Sequence, residues 1–530
     1  MTSDPQAETG SGDQPRKRRG SARKARHEKH RDTSPPAAIE PGMSGGVLKP
    51  LTQRDLERIH ETTLDVLANI GMGECVPEMI ELAEARGCRL NASGRLCFPR
   101  GFVEEIIDGA AQEMTLHARG DADDLVLAGN RVHYGTGGAA VKVLDLDADE
   151  YRPATLPDLY NFARIADACD NVHWFTRCVI ATEYEDMRAL DLNTAYAIAA
   201  GTNKHIATAI SLAENVAAVV ELFDMIAGGE GKFRERPFCK VHTSPVVSPL
   251  RFGADGAEVC IAATRAGFPI NGITAPQAGA TAPAAMAGTL VQANAESLAT
   301  LILVNLVSPG HPMIFGTWPF VSDLRTGAFS GGGGEEAILS AAAAQVSNFY
   351  NLPSGVAAGM SDSKIPDVQA GFEKGISTVL AGLSGANMVQ ESAGMLGSLL
   401  GASYESFVID NESLGLALRT VRGIEVTDET LSYEVIAQAV DGPGHFLGSD
   451  QTIDLMQKEY LYPKLSDRST PDEWALNGKP TMRENAKQRV REILNNHFPA
   501  TINAATDQKI RERFKIDLPV ERVRPDEMPV

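Results

Sequence analysis

The residues able to do chemistry stand at the ends of short apolar runs. Trp318 lies in GTWPF, with Phe320 and Phe329 following; Glu391 closes NMVQE and Asp410 closes SFVID. Aromatic faces beside carboxylates suit a cation with no hydrogen to donate, such as a quaternary ammonium. Each cation–π contact contributes roughly 0.5–2 kcal/mol, so selectivity needs several. Core packing competes for each aromatic, and an interstrand or Arg-paired structural role competes for each acid. His242, in KVHTSP, is either a donor to a substrate carboxylate or a satisfied rim histidine. Lys364, in GMSDSK, pairs either with that carboxylate or with its neighbour Asp362. Tyr134 stands in HYGTGG, which reads as a hairpin turn or as a loop covering a substrate.

Other catalytic classes lack their parts. A phosphate cradle needs its glycines at a strand-to-helix junction, but the strand-like VKVLDLD follows HYGTGG. DLDAD from Asp145 has alternate carboxylates without the glycine of a calcium loop. No GxSxG elbow occurs. The seven cysteines are scattered, with no CxxC, so neither a disulfide framework nor a thiolate zinc site is expected. A corrinoid held within the chain would need a DxHxxG-type histidine, and the Asp441–His445 spacing in DGPGHFLG is wrong for one.

The elements that must position these residues alternate between strand and helix. Strand candidates begin at Val172, His205, Phe238, Pro269, Met313, Ser354, Asn387 and Ser406. Helix candidates lie near 187–200, 214–227, 254–266, 283–307, 335–350, 366–385, 393–401 and 411–421. The pattern predicts an α/β fold, a (β/α)8 TIM barrel over 156–425, with chemistry at the carboxyl ends of its strands. An open doubly wound sheet lacks a dinucleotide fingerprint after its first strand. Residues 1–50 read as a disordered basic tail and linker, and 51–155 as an N-terminal α+β cap region. That cap opens with a helix over 51–70, N-capped by Thr52 with Asp55 three residues on. Residues 426–530 read as a C-terminal helical extension.

The totals narrow the partners. The 530 residues carry a net charge of −20, yet residues 1–42 hold nine Lys/Arg against six Asp/Glu, leaving 40 basic and 63 acidic, or −23, for the remainder. An acidic body argues against a general nucleic-acid binder, leaving only the basic stretch RKRRGSARKARHEKHR for such contact. That stretch lacks the apolar core of a secretory signal. The most membrane-like run, 298–307, is too short to span, and scattered cysteines fit a reducing cytoplasm.

Several longer blocks carry a family resemblance. They are HYGTGG followed by VLDLDADEYRPATLPDL, then YNLPSGVAAGMSDSKIPDVQAGFEK, GANMVQESAGML, and GHFLGSDQT with YPKLSDR after it. Over about residues 50–500 the chain resembles the trimethylamine methyltransferase (MttB) superfamily of corrinoid-dependent methyltransferases. The resemblance implies a barrel that takes a methyl group from a methylated amine and passes it to Co(I) of a separate corrinoid protein, with no cofactor bound tightly. It departs from the trimethylamine enzymes in having no pyrrolysine, which implies the branch acting on quaternary amines such as glycine betaine. A same-fold demethylase using a folate acceptor and a non-catalytic betaine-binding protein are the alternatives. From strand position, Tyr134, Trp318 and Phe407 are expected to wall the site and Glu391 and Asp410 to supply negative charge. His242 or Lys364 would hold a substrate carboxylate. His445 reads as structural or interfacial, and the apolar C-terminal helices suggest a homo-oligomer.

Overall fold

Eight short strands run parallel, each followed by a helix. A computed structural model describes residues 37–524, and the basic stretch 16–31 lies outside the described residues. The strands are β1 (Arg131–Tyr134), β2 (Trp174–Thr176), β3 (His205–Thr208), β4 (Cys239–Thr243), β5 (Ile270–Thr274), β6 (Met313–Thr317), β7 (Ser354–Ala357) and β8 (Met388–Gln390). The helices are α1 (Leu156–Asp167), α2 (Met187–Gly201), α3 (Val216–Ala227), α4 (Ala254–Ala266), α5 (Met286–Val307), α6 (Gly334–Phe349), α7 (Val368–Leu383) and α8 (Tyr404–Arg422). The nine-stranded sheet runs from Met43–Ser44 through β1, β8, β7, β6, β5, β4 and β3 to β2. Only Met43–Ser44 pairs antiparallel, on β1. Two isolated parallel bridges, Gly135–Trp174 and Ala140–Val179, link the β1 and β2 segments. The protein is α/β with a curled sheet.

One end of that sheet is plugged. An antiparallel hairpin, Met114–Leu116 with Leu125–Leu127, packs its buried side chains with Trp174, Ile314 and Met388. Those three sit early in β2, β6 and β8, so the plug fills the amino-terminal end and leaves chemistry to the carboxyl end. Helix α5 is long and apolar enough to cross a membrane, but most of it is buried inside the protein. Its Asn294 Nδ2 donates to Thr63 Oγ1 (3.1 Å) and to Tyr350 Oη (2.8 Å), so neighbours wrap it on several sides. A helix apolar all round is a core helix here. The first helix, Gln53–Asp65, has the expected capping box between Thr52 and Asp55.

Two expected elements differ. Arg131–Tyr134 is a strand of the sheet itself, whereas it read as part of the cap region. SFVID is not a strand; it lies inside α8, where Ser403 caps the helix by accepting Ser406 N–H (3.1 Å). Its apolar residues Phe407, Val408, Leu414, Leu418 and Val421 recur at helical spacing and are buried. The helix expected at 393–401 is instead a hairpin, Met395–Leu396 with Gly401–Ser403.

This change relocates Phe407 and Asp410, both expected at the site. Phe407 packs against Phe162 of α1 (6.0 Å between ring centroids). Asp410 is buried and accepts from Lys374 Nζ of α7 (2.6 Å) and from Gly394 N–H (2.8 Å). It joins α7, α8 and the loop after β8. Glu412, one helical step on, accepts the backbone N–H groups of Lys464, Leu465 and Ser466 (2.6–2.7 Å), so YPKLSDR is clamped to α8. Glu425–Leu461 belongs to a second compact unit, where His445 is exposed.

Asp410→Asn leaves a lysine buried without its counter-charge. Such breaks cost about 3–5 kcal/mol. Chemical denaturation of Asp410→Asn should register a loss of that order, and the paired change Lys374→Met with Asp410→Leu should recover most of it.

Candidate active site

Glu391 follows β8 directly. Its side chain is fully buried, and neither carboxyl oxygen has a hydrogen-bond partner among the described residues. Its backbone is left-handed (φ 65°), a conformation that costs a non-glycine residue energy and clusters at functional positions. Two backbone bonds clamp this segment to the loop after β1. Gly135 N–H donates to Val389 O (3.1 Å), and Ser392 N–H donates to Gly135 O (3.0 Å). The loop then crosses the carboxyl group itself. A Cβ on Gly137 would sit 2.5 Å from Glu391 Oε1, and one on Gly138 2.7 Å from Oε2. Only glycine permits that approach. Thr136 fixes the loop's other side, its Oγ1 donating to Thr176 O (2.7 Å) and accepting Thr176 N–H (2.8 Å). The glycines of HYGTGG therefore cradle a carboxyl rather than a phosphate.

Burial pushes the Glu391 carboxyl up to about 8, and no cation offsets it. The titratable group that feels it is the buried Cys178 thiol, which it helps to raise. Glu391 is thus the neutral acid at pH 7.

Aromatic rings approach the same end of the sheet. Trp318, just past β6, meets the His242 ring of β4 edge-on at 5.6 Å; Phe320 lies 5.9 Å from Trp318, and Phe329 lies 4.8 Å from Phe320. Beneath them runs a polar layer. Asn271 Nδ2 of β5 donates to Gln390 Oε1 of β8 (2.7 Å) and lies 3.3 Å from His242 Nδ1. That contact makes Nδ1 the acceptor and puts the imidazole proton on Nε2. Burial, with help from the charges of Arg177 and Lys240, holds His242 down to about 3, so the ring is neutral. Lys240, two residues earlier on β4, is buried with no hydrogen-bond partner among the described residues, 5.4 Å over the Trp174 ring; burial brings it down to about 7.

The seven expected residues therefore separate. Trp318, Glu391 and His242 gather at the carboxyl end of the strands. Lys364 is exposed on the rim, where its Nζ donates to Asp362 O (2.7 Å). With Asp362, Phe329, Asp323 and Met286 it lines a groove of 590 Å³. Asp362 accepts from Ser330 Oγ, Gly331 N–H and Ser398 Oγ (2.6–2.8 Å), so it pins the glycine run before α6. Tyr134 points the other way, its hydroxyl donating to Thr378 O of α7 (2.9 Å). Phe407 and Asp410 are engaged in the helix packing described above. Sequence reasoning missed Asn271 and Gln390. Asn271 is the register partner of His242 in the β4–β5 ladder, and Gln390 adjoins Glu391.

A family model described as trimethylamine methyltransferase (MTTB) matches residues 16–516. The chain belongs to that family. It is a methyltransferase. Trimethylamine methyltransferase MttB of Desulfitobacterium hafniense (strain DSM 10664 / DCB-2) is 33% identical over 484 residues, covering 91% of this chain and 97% of the relative. A glycine betaine methyltransferase of D. hafniense (strain Y51) is 31% identical over 461 residues, covering 87% and 95%. The structure of the Methanosarcina barkeri monomethylamine methyltransferase aligns with a TM-score of 0.45 at 12% identity, over 83% of this chain and 94% of that one.

The Glu391 carboxyl makes a signed prediction for this MTTB-family chain. Its pKa is raised on folding, so between about 4.5 and about 8 the unfolded chain holds fewer protons than the folded one. Stability then falls as pH rises across that window, by up to ~1.4 kcal/mol per pH unit. Glu391→Gln removes this slope. Melting curves should find the variant level with the wild type near pH 4.5 and more stable at pH 8; identical curves at both pH values would mean the acid is not buried unpaired.

Proposed function

We propose that this methyltransferase removes one methyl group from a quaternary amine of the glycine betaine kind and passes it to the Co(I) centre of a separate corrinoid protein. The observation that carries this reading is Glu391, a buried carboxyl with no partner among the described residues, at the same end of the sheet as the Trp318 and His242 rings. Such a group awaits a ligand charge. A quaternary ammonium has no N–H to donate, so it is bound by ring faces and by net negative charge rather than by hydrogen bonds. Its approach favours the ionised form of Glu391, because an opposite charge nearby offsets the cost of burial.

The chemistry asks little else of the protein. The electron pair of the breaking C–N bond stays on nitrogen, the ammonium becomes a neutral tertiary amine, and no proton is needed at the leaving group. Positioning is then the main task. Trp318 holds the cation, and the Asn271–Gln390–His242 layer forms a floor that keeps it at the mouth. With the positive charge gone, Glu391 reverts toward the neutral acid, which loosens its hold on the product. The two D. hafniense relatives, named for trimethylamine and for glycine betaine, support an amine substrate at nearly full length.

The remaining readings follow the same logic. The curled sheet is a (β/α)8 barrel closed between β1 and β2, an arrangement supported by the Gly135–Trp174 and Ala140–Val179 bridges. The corrinoid arrives on its own carrier protein instead of being held tightly, and the rim groove bordered by Phe329 and Lys364 lies on the side it would approach. A cytoplasmic, homo-oligomeric enzyme is in keeping with seven free cysteines and with the exposed apolar residues Val368, Phe372 and Ile376 along α7.

The test mixes purified protein, glycine betaine and chemically reduced free cobalamin, and follows methylcobalamin absorbance. Transfer should appear with the wild type. Trp318→Ala should weaken glycine betaine binding about threefold to thirtyfold, the equivalent of one cation–π contact. Methyl appearing only on a folate, or tight binding without transfer to either acceptor, would overturn the corrinoid reading.

A further inference from the structure

Glu391 answers to one end of a zwitterion, and Arg177 is placed to answer to the other. It follows β2 immediately, and its backbone N–H donates to Ala207 O (3.2 Å), continuing the ladder in which Thr176 pairs with Ala207. The residue therefore stands at the carboxyl end of the sheet, two strands from His242. Its side chain is half-buried, and its guanidinium has no hydrogen bond or ion pair among the described residues. Its nitrogens are not sealed from solvent, unlike Nε and Nη1 of Arg119. Arginine carries five donors in a rigid fork, and here the protein meets none of them among the described residues.

The acid within reach of that charge is already occupied. Asp191 of α2 accepts Ser211 N–H on both oxygens (3.0 Å each), Ser211 Oγ (2.8 Å) and Asn215 Nδ2 (2.8 Å). It forms no ion pair with Arg177, although the two feel each other's charge. Arg177 and His242 stand at the same carboxyl end of the sheet, on β2 and β4 with β3 between them, and the Arg177 charge helps keep the His242 ring neutral. With Nδ1 facing Asn271, His242 keeps Nε2–H as a donor without a protein acceptor among the described residues. No protein cation offsets the burial of Glu391, so Glu391 and Arg177 do not pair with each other.

We infer that Arg177 and His242 Nε2–H together bind the carboxylate of the substrate, so that the enzyme takes carboxylate-bearing quaternary amines in preference to amino alcohols. This rests on the function proposed above and names the substrate class for it. An Arg–carboxylate pair is bidentate and fixes orientation as well as charge, which is what aiming a single methyl group requires. A site built around an unpaired guanidinium also rejects a ligand lacking the acid, since the donors then stay unmet.

The experiment is calorimetric titration of the full-length protein at pH 7.5 with glycine betaine and with choline, which keeps the trimethylammonium but replaces the carboxylate by a hydroxyl-bearing arm. The wild type should prefer glycine betaine by at least about tenfold. Arg177→Gln should weaken glycine betaine by roughly tenfold to a hundredfold, the range for a charged hydrogen bond, and leave choline within about twofold. Arg177→Lys, which keeps the charge and loses the fork, should lose part of the preference and serves as the readable variant if Arg177→Gln does not fold. Arg177→Gln binding glycine betaine as tightly as the wild type, or losing both ligands equally, overturns the inference. A wild type indifferent to the carboxylate overturns it too, while leaving the quaternary-amine reading standing. A wild type that binds neither ligand overturns both.

Discussion

A carboxyl group kept out of water with nothing to bond is the constraint on which the rest of this structure depends. An unpaired buried polar group costs of order 1–3 kcal/mol, a large share of a protein's net stability. Glu391 is held there nevertheless, in a left-handed backbone conformation, between two backbone bonds to Gly135 and under the glycines at 137 and 138. A packed interior tolerates such a group only where surrounding contacts over-determine it. The clamp between the β1 loop and the β8 loop supplies that determination.

Other parts of the molecule follow from keeping that group dry but reachable. The Met114–Leu127 region plugs the amino-terminal end with Trp174, Ile314 and Met388, so access is left to the carboxyl end. Above the plug, Asn271 ties His242 Nδ1 to Gln390 Oε1, so the one donor this layer keeps unmet among the described residues is His242 Nε2–H. The rings from Phe329, which lines the rim groove, through Phe320 to Trp318 form a continuous row of contacts. Outside the sheet, Asp410 with Lys374 and Glu412 with the 464–466 backbone hold α7, α8 and the C-terminal segment in place. These acids stabilise the scaffold that positions Glu391.

Much of this was legible in the chain. Seven of the eight parallel strands read as short apolar runs between helical segments, and the reading that chemistry gathers at their carboxyl ends brought out Glu391, Trp318 and His242. The missing strand, Arg131–Tyr134, is four residues long, begins with a charge and runs straight into a glycine loop, so local pattern offers little to separate it from a hairpin. SFVID misled for the opposite reason. It is an apolar run closed by an acid, as NMVQE is, and only the helical spacing continuing to Val421 distinguishes the two. Whether an acid at such an end is paired is a tertiary matter. Asp410 meets Lys374, 36 residues earlier on another helix, and the Glu391 carboxyl meets no hydrogen-bond partner among the described residues. Arg177, after an apolar strand, carries no local sign of being unpaired, since that depends on Asp191 of α2 being satisfied by Ser211 and Asn215.

The most direct measurement is the number of protons released when a permanent cation binds, obtained by titrating glycine betaine at pH 7 in buffers of different ionisation enthalpy. A Glu391 that is neutral before ligand is added and ionises against the bound ammonium gives close to one proton per site in the wild type and none in Glu391→Gln. Binding to the wild type with no proton released would contradict the role assigned to this carboxyl.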